Sequence, residues 1–296
     1  MQGLILINAY PKGEKFYRQA ERIKEELEKL GVEAQIKRNG EYAAWLSSDG
    51  AARFEAEGYD FVVYLDKDKY LGELLEQKGL RLFNPSKAVE ACDDKMRTFL
   101  ALKQSGITIP KTVAASLCYT KGAKADEAFL QNTANLLGFP MVAKKCYGSF
   151  GEGVELVHGI AELKELAQKW LFEPHLYQEY IAESKGEDLR VIVVGGKALG
   201  AMKRVAKNGE FRSNIELGGR GEKTELAPEY RKAAERAATA LGLDYCGVDL
   251  LETNGGPVLC EVNSNAFFEG FESTTGINVA KSYAEHIVNV MKNGRR

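Results

Sequence analysis

Two acidic residues on either side of a turn signal constrain this chain more than any other feature of its sequence. Two apolar runs are separated by Asn-Gly-Gly at positions 254–256, a pattern that is typical of a β-hairpin. If the turn centres on Gly255, Asp249 lies directly across from Glu261. Because strand side chains alternate between the two faces of a sheet, Asn263 points to the same side as Glu261. The segment therefore predicts two carboxylates and an amide on one patch of a sheet.

This acidic patch predicts a metal site. Like charges directly opposite each other destabilise a sheet, and a divalent cation would turn that conflict into attraction. Magnesium prefers oxygen ligands, usually one or two carboxylates completed by substrate phosphates. We therefore predict Asp249, Glu261 and Asn263 as metal ligands. The alternative is a solvated sheet face without function, which the apolar neighbours Val248 and Val262 disfavour because they indicate that the other face is packed.

A glycine-rich segment lies about a hundred residues earlier in the chain. Residues 148–153 contain three glycines between two predicted strands, 141–146 and 154–158. Glycines let backbone N–H groups approach phosphate oxygens closely, and Lys144 can reach the same phosphates as a point charge. The order G-x-x-G-x-G is neither a Walker A motif nor a dinucleotide fingerprint, because a strand follows rather than a helix. Taken alone, the segment fits a plain hairpin loop equally well.

The order of predicted elements divides the chain into three parts. Strand–helix alternation over residues 1–88 predicts a small parallel α/β domain, and residues 38–58 give no prediction. A mostly helical piece follows Pro85, and from Pro110 the pattern becomes strand-rich, which predicts an α+β arrangement. We predict a central subdomain over 89–181 and a C-terminal subdomain over 182–296. In the first helix the expected core face consists of Phe16, Ala20, Ile23, Leu27 and Leu30.

The bulk properties of the chain exclude several classes of protein. Its 296 residues carry a formal net charge of −2, which argues against a broad nucleic-acid surface. No apolar stretch approaches the ~18 residues of a membrane span, and the apolar start is too short for a signal peptide. The five cysteines form no C-x-x-C pair, which argues against a zinc site or a disulfide framework. These features predict a cytoplasmic protein with no nucleic-acid and no membrane partner.

Taken together, the ordered segments resemble the ATP-grasp superfamily, and specifically the RimK-like amino-acid ligases. The resemblance covers about residues 84–290, and many segments in the right order make it specific although each alone is weak. The segments that carry it are Asn84-Pro85, Asp94–Arg97, Pro140–Lys144, Gly148–Gly153, Gln178–Ile181, Asp188–Arg190, Phe211–Asn214, Ala238–Asp249, Gly256–Asn263 and Glu272–Ile277.

The resemblance implies an α/β N-terminal domain followed by an α+β ATP-grasp fold, in which two subdomains grip ATP. It implies that Glu179 and Tyr180 hold the adenine edge through the backbone and that Asp188 binds ribose. The other implied nucleotide-binding residues are Lys95, Lys144, Gly148, Ser149, Gly151, Gly153, Arg212, Ser213 and Asn214. Arg204, Arg212 and Asn214 would face the triphosphate and the developing acyl phosphate. Asp249, Glu261 and Asn263 would hold Mg²⁺ or Mn²⁺, as two ions.

The reaction that the resemblance implies has two steps. A substrate carboxylate attacks the γ-phosphoryl group of ATP, and an amine then displaces phosphate from the acyl phosphate. The expected partners are an amino acid such as glutamate and a carboxylate-bearing protein, peptide or metabolite, with a homo-oligomer possible. The chain departs from the family at 264–270, Ser-Asn-Ala-Phe-Phe-Glu-Gly, where a short small-residue segment usually ends in Pro-Gly. This departure leaves the metal site intact and the substrate unassigned.

Two alternatives from other classes remain at this stage. A non-catalytic ATP-binding sensor or scaffold could use the same fold, but a module that only binds has less need of all three metal ligands. A nicotinamide-dependent oxidoreductase would fit the α/β start of the chain. It is disfavoured because residues 8–13, after the first strand, read Asn-Ala-Tyr-Pro-Lys-Gly rather than G-x-G-x-x-G.

Overall fold

The fold is described from a computed structural model, which covers residues 1–11, 13–207, 210–213 and 218–294. Its strands are β1 Gln2–Ile7, β2 Glu33–Arg38, β3 Ala44–Leu46, β4 Ala52–Phe54, β5 Phe61–Leu65, β6 Arg81–Phe83, β7 Thr112–Ala114, β8 Met141–Lys145, β9 Val154–Val157, β10 His175–Glu179, β11 Glu187–Val194, β12 Lys197–Val205, β13 Arg220–Thr224, β14 Tyr245–Thr253 and β15 Gly256–Asn263. Its helices are α1 Lys15–Lys29, α2 Lys69–Gln77, α3 Ser86–Asp93, α4 Lys95–Ala101, α5 Glu127–Leu137, α6 Ile160–Lys169, α7 Pro228–Leu241, α8 Glu269–Thr275 and α9 Val279–Asn293, with a 3₁₀ turn at Ala182–Ser184. Over these ranges, no helix has both the length and the apolar character that a bilayer crossing requires.

The first sheet is fully parallel, in the order β2-β1-β5-β6. Its central strands β1 and β5 are almost continuously buried, as expected for parallel strands covered on both faces. Helix α1 covers one face through Ala20, Ile23 and Leu27, which have no exposed surface. The parallel α/β prediction is therefore confirmed. Leu30 was wrongly placed on the core face: it is the residue after the helix and is 40% exposed.

The rest of the chain forms two antiparallel sheets with helices packed on them, which confirms the α+β prediction. The central sheet has the order β7-β10-β8-β9, and helices α5 and α6 pack together beside it. The C-terminal sheet has the order β13-β12-β11-β14-β15, with helix α7 packed against β12, β11, β14 and the edge strand β15. Strands β3 and β4 form a separate hairpin within residues 38–58, for which we made no prediction.

The hairpin of β14 and β15 pairs Asp249 with Glu261, but not through the turn that we expected. Thr253 pairs with Gly256, so the turn has two residues and is not centred on Gly255. That turn alone would set Asp249 opposite Cys260 and would turn Glu261 to the other face of the sheet. A register shift next to Asp249 inserts one extra residue into β15, which restores the pair. The β-bulge therefore brings the two carboxylates onto one face.

The first domain and the C-terminal subdomain share a core and a buried polar junction. One hydrophobic cluster joins residues of β1, β5 and α1 to residues of β11, α8 and α9. Asn84 is 1% exposed and lies at the junction. Its Nδ2 donates to the carbonyl oxygens of Tyr245 and Ser264, at 2.8 and 2.7 Å, and its Oδ1 accepts from the amides of Asp244 and Tyr245. The boundaries at 88 and 181 stay predictions, since packing is continuous across the first of them.

Candidate nucleotide and metal site

A cleft separates the central sheet from the C-terminal sheet, and most of the predicted nucleotide-binding, catalytic and metal-binding residues line it. These are Lys95, Lys144, Gly148, Ser149, Gly151, Glu179, Tyr180, Asp188, Arg204, Arg212, Ser213, Asp249 and Glu261. Gly153 lies where the glycine-rich loop rejoins β9, and Asn263 lines a neighbouring cavity. Asn214 lies outside the described residues. The structure thus brings together residues that are up to 166 positions apart, Lys95 and Glu261.

Two buried lysines connect the walls of the cleft. Lys95, at the start of α4, donates from Nζ to the carbonyl oxygen of Gly148 at 3.1 Å, and Nζ lies 3.6 Å from Glu261 Oε1. Lys144, on β8, has Nζ 3.8 Å from Cys260 Sγ. Burial raises the pKa of the Cys260 thiol, so this partner is a neutral and weak acceptor. The Lys144 ammonium group is therefore placed where a nucleotide phosphate would give it a stronger partner.

The glycine-rich loop contacts both of the other parts of the chain. Arg212 donates from Nη1 to the carbonyl oxygen of Gly151 at 3.1 Å, and its Nη2 donates to Glu210 Oε2 at 3.0 Å. On the first-domain side, Lys67 Nζ donates to Ser149 Oγ at 3.2 Å. Gly151 has φ of 77°, a conformation that glycine adopts at little cost. The loop is thus fixed across the cleft rather than extending into solvent as a plain hairpin turn.

The far end of the cleft contains Glu179 and Tyr180. The Glu179 amide donates to the carbonyl oxygen of Lys111 at 3.0 Å, so this N–H is already engaged in the sheet. A contact to an adenine edge would come from the Glu179 carbonyl and the Tyr180 backbone. Within the described part of the chain, Gln178 Oε1 and the Tyr180 hydroxyl are buried without a hydrogen-bond partner. Such orphaned polar atoms fit a site that a polar ligand completes.

Asp188 and Arg204 form a buried ion pair across β11 and β12. Their Cα atoms are directly paired in the sheet, and Arg204 Nε donates to Asp188 Oδ1 at 2.7 Å. Both residues are 5% exposed. The ribose-binding role of Asp188 and the phosphate-facing role of Arg204 stay predictions, because the two side chains are ion-paired with each other in this structure.

Asp249 is held by two arginines. Arg190 Nη2 donates to Asp249 Oδ2 at 2.8 Å and its Nε donates to Oδ1, while Arg204 Nη2 lies 2.9 Å from Oδ2. Burial alone would raise the pKa of Asp249, but the positive charges of Arg190 and Arg204 outweigh it and lower the pKa. The repulsion expected between Asp249 and Glu261 without a metal is therefore offset at Asp249 by two arginines. The chain supplies its own countercharges.

Glu261 is the more accessible of the two paired carboxylates. Its side chain is 32% exposed, against 4% for Asp249. Asn263 Nδ2 donates to Asp249 Oδ2 at 3.3 Å, so the three predicted ligands do meet on one patch. Over the described residues, no group of three or more His, Cys, Asp or Glu side chains could hold a metal, so the donor set is two carboxylates and an amide. These oxygen donors fit Mg²⁺, with substrate phosphates as further ligands.

A second cavity, of about 500 Å³, adjoins the cleft on the first-domain side. It lies at the carboxyl ends of the parallel strands β1 and β5, where Asn8 and Asp66 line it, and this edge is where open parallel sheets bind ligands. The segment 264–271 forms the opposite wall. Cleft and cavity have a common border formed by Gly148, Ser149, Phe150, Glu152, Arg204 and Glu261. A phosphate in the cleft and a second substrate in the cavity would meet at Glu261.

Arg190 was missed as a site residue by the sequence analysis. It lies two residues after Asp188 on β11, so both side chains point to the same face, and its Cα partner in β14 is Asp249. The available signal was the alternation of Asp188, Leu189 and Arg190, charged, apolar and charged, within an otherwise apolar strand. Its use required the pairing of β11 with β14, which the sequence does not indicate.

Two α+β subdomains around a cleft with buried lysines, a glycine-rich loop and an acidic hairpin define an ATP-grasp fold. Residues 92–287 match the RimK-like ATP-grasp domain, and the chain belongs to that family. Members of one family can act on different molecules when their substrate-facing surfaces differ. Membership therefore establishes the fold but does not identify the substrate.

Named relatives of the chain are ligases. It is 43% identical over 206 residues to a probable alpha-L-glutamate ligase from Picosynechococcus sp., covering 69% of this chain and 66% of the relative. It is 35% identical over 231 residues to beta-citrylglutamate synthase B from Danio rerio, covering 77% of this chain and 56% of the relative. The chain therefore matches less than two thirds of the length of each. D-alanine–D-alanine ligase from Bacillus anthracis, solved with ATP, shares the fold with a TM-score of 0.73 at 20% identity, covering 100% of this chain and 98% of that one.

Proposed function

We propose that the chain is an ATP- and Mg²⁺-dependent carboxylate–amine ligase that forms an amide bond through an acyl phosphate and releases ADP and phosphate. The names of its relatives, alpha-L-glutamate ligase and beta-citrylglutamate synthase, support glutamate as one substrate. The other substrate would be a carboxylate-bearing protein, peptide or metabolite. The proposal also covers Mn²⁺ in place of Mg²⁺ and two ions in place of one.

The observation that carries this proposal is the position of the acidic patch between two cavities. Glu261 lines both the cleft and the second cavity, while Asp249 faces the cleft and Asn263 faces the cavity. Phosphoryl transfer depends on positioning and on neutralising charge more than on a protein nucleophile. A γ-phosphoryl group at this junction would be within reach of a carboxylate held on the other side.

The side chains of the junction have separable tasks. Lys95 and Lys144 would bind phosphate oxygens from the central-sheet side. Arg190 and Arg204 would orient the substrate carboxylate or the transferred phosphoryl group, since a guanidinium presents a planar fork to either. The glycine-rich loop would exclude water, which otherwise hydrolyses an acyl phosphate. Asp249, Glu261 and Asn263 would hold Mg²⁺, which supplies positive charge that neutralises the phosphates.

The test is an assay of nucleotide turnover with substrate pairs. The protein is incubated with ATP, Mg²⁺ and glutamate or another amino acid, together with carboxylate-bearing acceptors, and products are identified by mass. Release of ADP and phosphate with formation of an amide supports the proposal. AMP and pyrophosphate as products contradict it. Binding of ATP without turnover for any pair would favour the non-catalytic sensor instead.

Glu261→Gln tests the metal patch within this assay. Turnover is expected to fall by roughly 100-fold or more, the usual cost of removing one group that stabilises transition-state charge. The free energy of unfolding should change by less than about 1 kcal/mol, because this side chain is partly exposed and screened. Glu252→Gln is the matched control: it lies on β14, its side chain is 44% exposed and it pairs with Lys203. An active Glu261→Gln protein would refute the role assigned to the patch.

A further inference from the structure

The glycine-rich loop is the shared wall of the two cavities. Gly148, Ser149, Phe150 and Glu152 line both the nucleotide cleft and the second cavity. A movement of this loop would therefore change both sites together. What fixes the loop on the cavity side decides whether the two sites are independent.

The ring of Phe150 packs against the unusual segment 264–270. Phe150 and Phe267 are stacked, with ring centroids 6.2 Å apart and an angle of 23° between their planes. Lys15 places its Nζ 3.8 Å from the centroid of Phe150 and 4.7 Å from that of Phe267. Phe16 meets Phe267 edge to face at 4.9 Å. Loop, first domain and C-terminal subdomain thus converge on one aromatic cluster.

The backbone of Phe150 indicates that this contact is specific. Its φ is 59°, and in the described part of the chain it is the one non-glycine residue with a positive φ. A bulky residue rarely adopts this conformation, and it persists only where the surroundings fix it. The Lys15 ammonium group and the stacked ring of Phe267 are the side-chain contacts of Phe150 that hold it here. A small residue at position 267 would leave Phe150 without that partner.

We propose that Phe267 is a positioning residue for the ligase reaction: it holds Phe150, and with it the glycine-rich loop, in the closed position over the nucleotide. The inference rests on the proposed function for its role in turnover. In this arrangement a nucleotide binds under a loop that is already fixed, and the second substrate enters a cavity whose wall is that loop. Phe267 lines the second cavity but not the nucleotide cleft.

Limited proteolysis tests the position of the loop without any turnover. Chymotrypsin cleaves after phenylalanine, and cleavage after Phe150 yields fragment 1–150, which is identified by mass. We expect Phe267→Ala to be cleaved there about tenfold faster than the wild type, the upper range for loss of an aromatic pair. Phe267→Tyr keeps the ring and should be cleaved at the wild-type rate. Phe172→Ala, which removes an exposed ring away from both cavities, should also match the wild type.

Nucleotide affinity gives the second measurement. Calorimetric titration with ADP and Mg²⁺ should show about tenfold weaker binding to Phe267→Ala and restored binding to Phe267→Tyr. In the ligase assay, KM for ATP should rise by a similar factor, while kcat at saturating ATP stays within about twofold.

If Phe267→Ala does not fold, Phe267→Leu retains the apolar volume without the ring and should show an intermediate cleavage rate. In a double-mutant cycle with Phe150→Ala, the losses of ADP affinity should be non-additive, because both variants remove one contact.

These measurements separate failure of this inference from failure of the proposed function. Unchanged cleavage after Phe150 and unchanged ADP affinity in Phe267→Ala would overturn the positioning role, whatever the ligase assay shows. Additive losses in the double-mutant cycle would do the same. A wild-type protein that is inactive with every substrate pair refutes the ligase proposal, while the cleavage rates still decide whether Phe267 holds the loop.

Discussion

The two walls of the cleft handle charge in opposite ways. On the central-sheet side, Lys144 has a weak neutral acceptor, Cys260 Sγ at 3.8 Å. On the C-terminal side, a continuous series of ion pairs neutralises the charges of Asp188, Arg204, Asp249 and Arg190. One wall thus presents a cation with only a weak partner, whereas the charges of the network on the other wall are paired with each other.

Because of this difference, substitutions in the two walls should affect different properties: the stability of the fold or the affinity for the nucleotide. Breaking a buried ion network by removing one member leaves an uncompensated charge, which is strongly destabilising. Removing a buried lysine that has only a weak partner should change the free energy of unfolding little. Substitutions within this ion network should therefore act first on stability, whereas substitution of Lys144 should act first on nucleotide affinity.

Asp249→Asn is expected to cause the greatest loss of stability. It removes the charge that Arg190 and Arg204 share, so the free energy of unfolding is expected to fall by about 3–5 kcal/mol. Urea denaturation followed by circular dichroism measures this. Glu252→Gln, on the same strand and partly exposed, should fall by less than about 1 kcal/mol. If Asp249→Asn is as stable as that control, the ion network is not structural.

On the central-sheet wall, Lys144→Met should weaken nucleotide binding with little change in stability. Loss of a charged hydrogen bond to phosphate costs about 1.5–3 kcal/mol, which predicts roughly 10- to 100-fold weaker ATP binding by calorimetry. Stability should stay within about 1 kcal/mol, since burying an ammonium group is costly in itself. Lys145→Met is the neighbouring control, because Lys145 pairs with Glu173 and does not line the cleft. Equal losses of affinity in both variants would show that Lys144 has no special contact with the nucleotide.

A more modest change is predicted for the pH dependence of stability. The pKa of Asp249 lies below its ordinary value of 3.8, because the charges of Arg190 and Arg204 outweigh the effect of burial. A carboxyl group of this kind stabilises the fold fully above its unfolded-state pKa, and this contribution is lost as the pH falls toward the folded-state pKa. The free energy of unfolding should therefore decrease below about pH 4. Asp249→Asn should show a shallower decrease over the same range, and an identical profile would contradict the depressed pKa.

The hairpin shows how sequence reasoning can reach a correct pair through an incorrect turn. The pairing of Asp249 with Glu261 is confirmed, yet the expected three-residue turn was wrong. A two-residue turn and one extra residue in β15 displace the register in opposite directions, so their effects cancel. Apolar alternation predicts strands well, but a bulge leaves no clear mark in it, because one additional residue only reverses the alternation locally.

Contacts between residues that are distant in the chain could not be predicted from the sequence. The role of Arg190 depends on β11 lying between β12 and β14, which no local pattern encodes. The departure at 264–270 was visible, but not that Phe267 packs on Phe150, more than a hundred residues away. Elements with one apolar face, such as α1 and β1, were predictable because their burial follows from their own periodicity. Site residues on different strands meet only through the order of the sheet.

The hydrogen bonds of Asn84 bear on how proteins of this architecture can be recombined. Exchanging the first ~80 residues between relatives is an obvious way to transplant substrate preference. In this chain one amide side chain serves two carbonyl groups and two N–H groups of the C-terminal subdomain. A chimaera joined upstream of this residue keeps those bonds, whereas a donor fragment that brings a different residue here would leave four backbone groups stranded away from water. Successful grafts should thus have their crossover point before position 84.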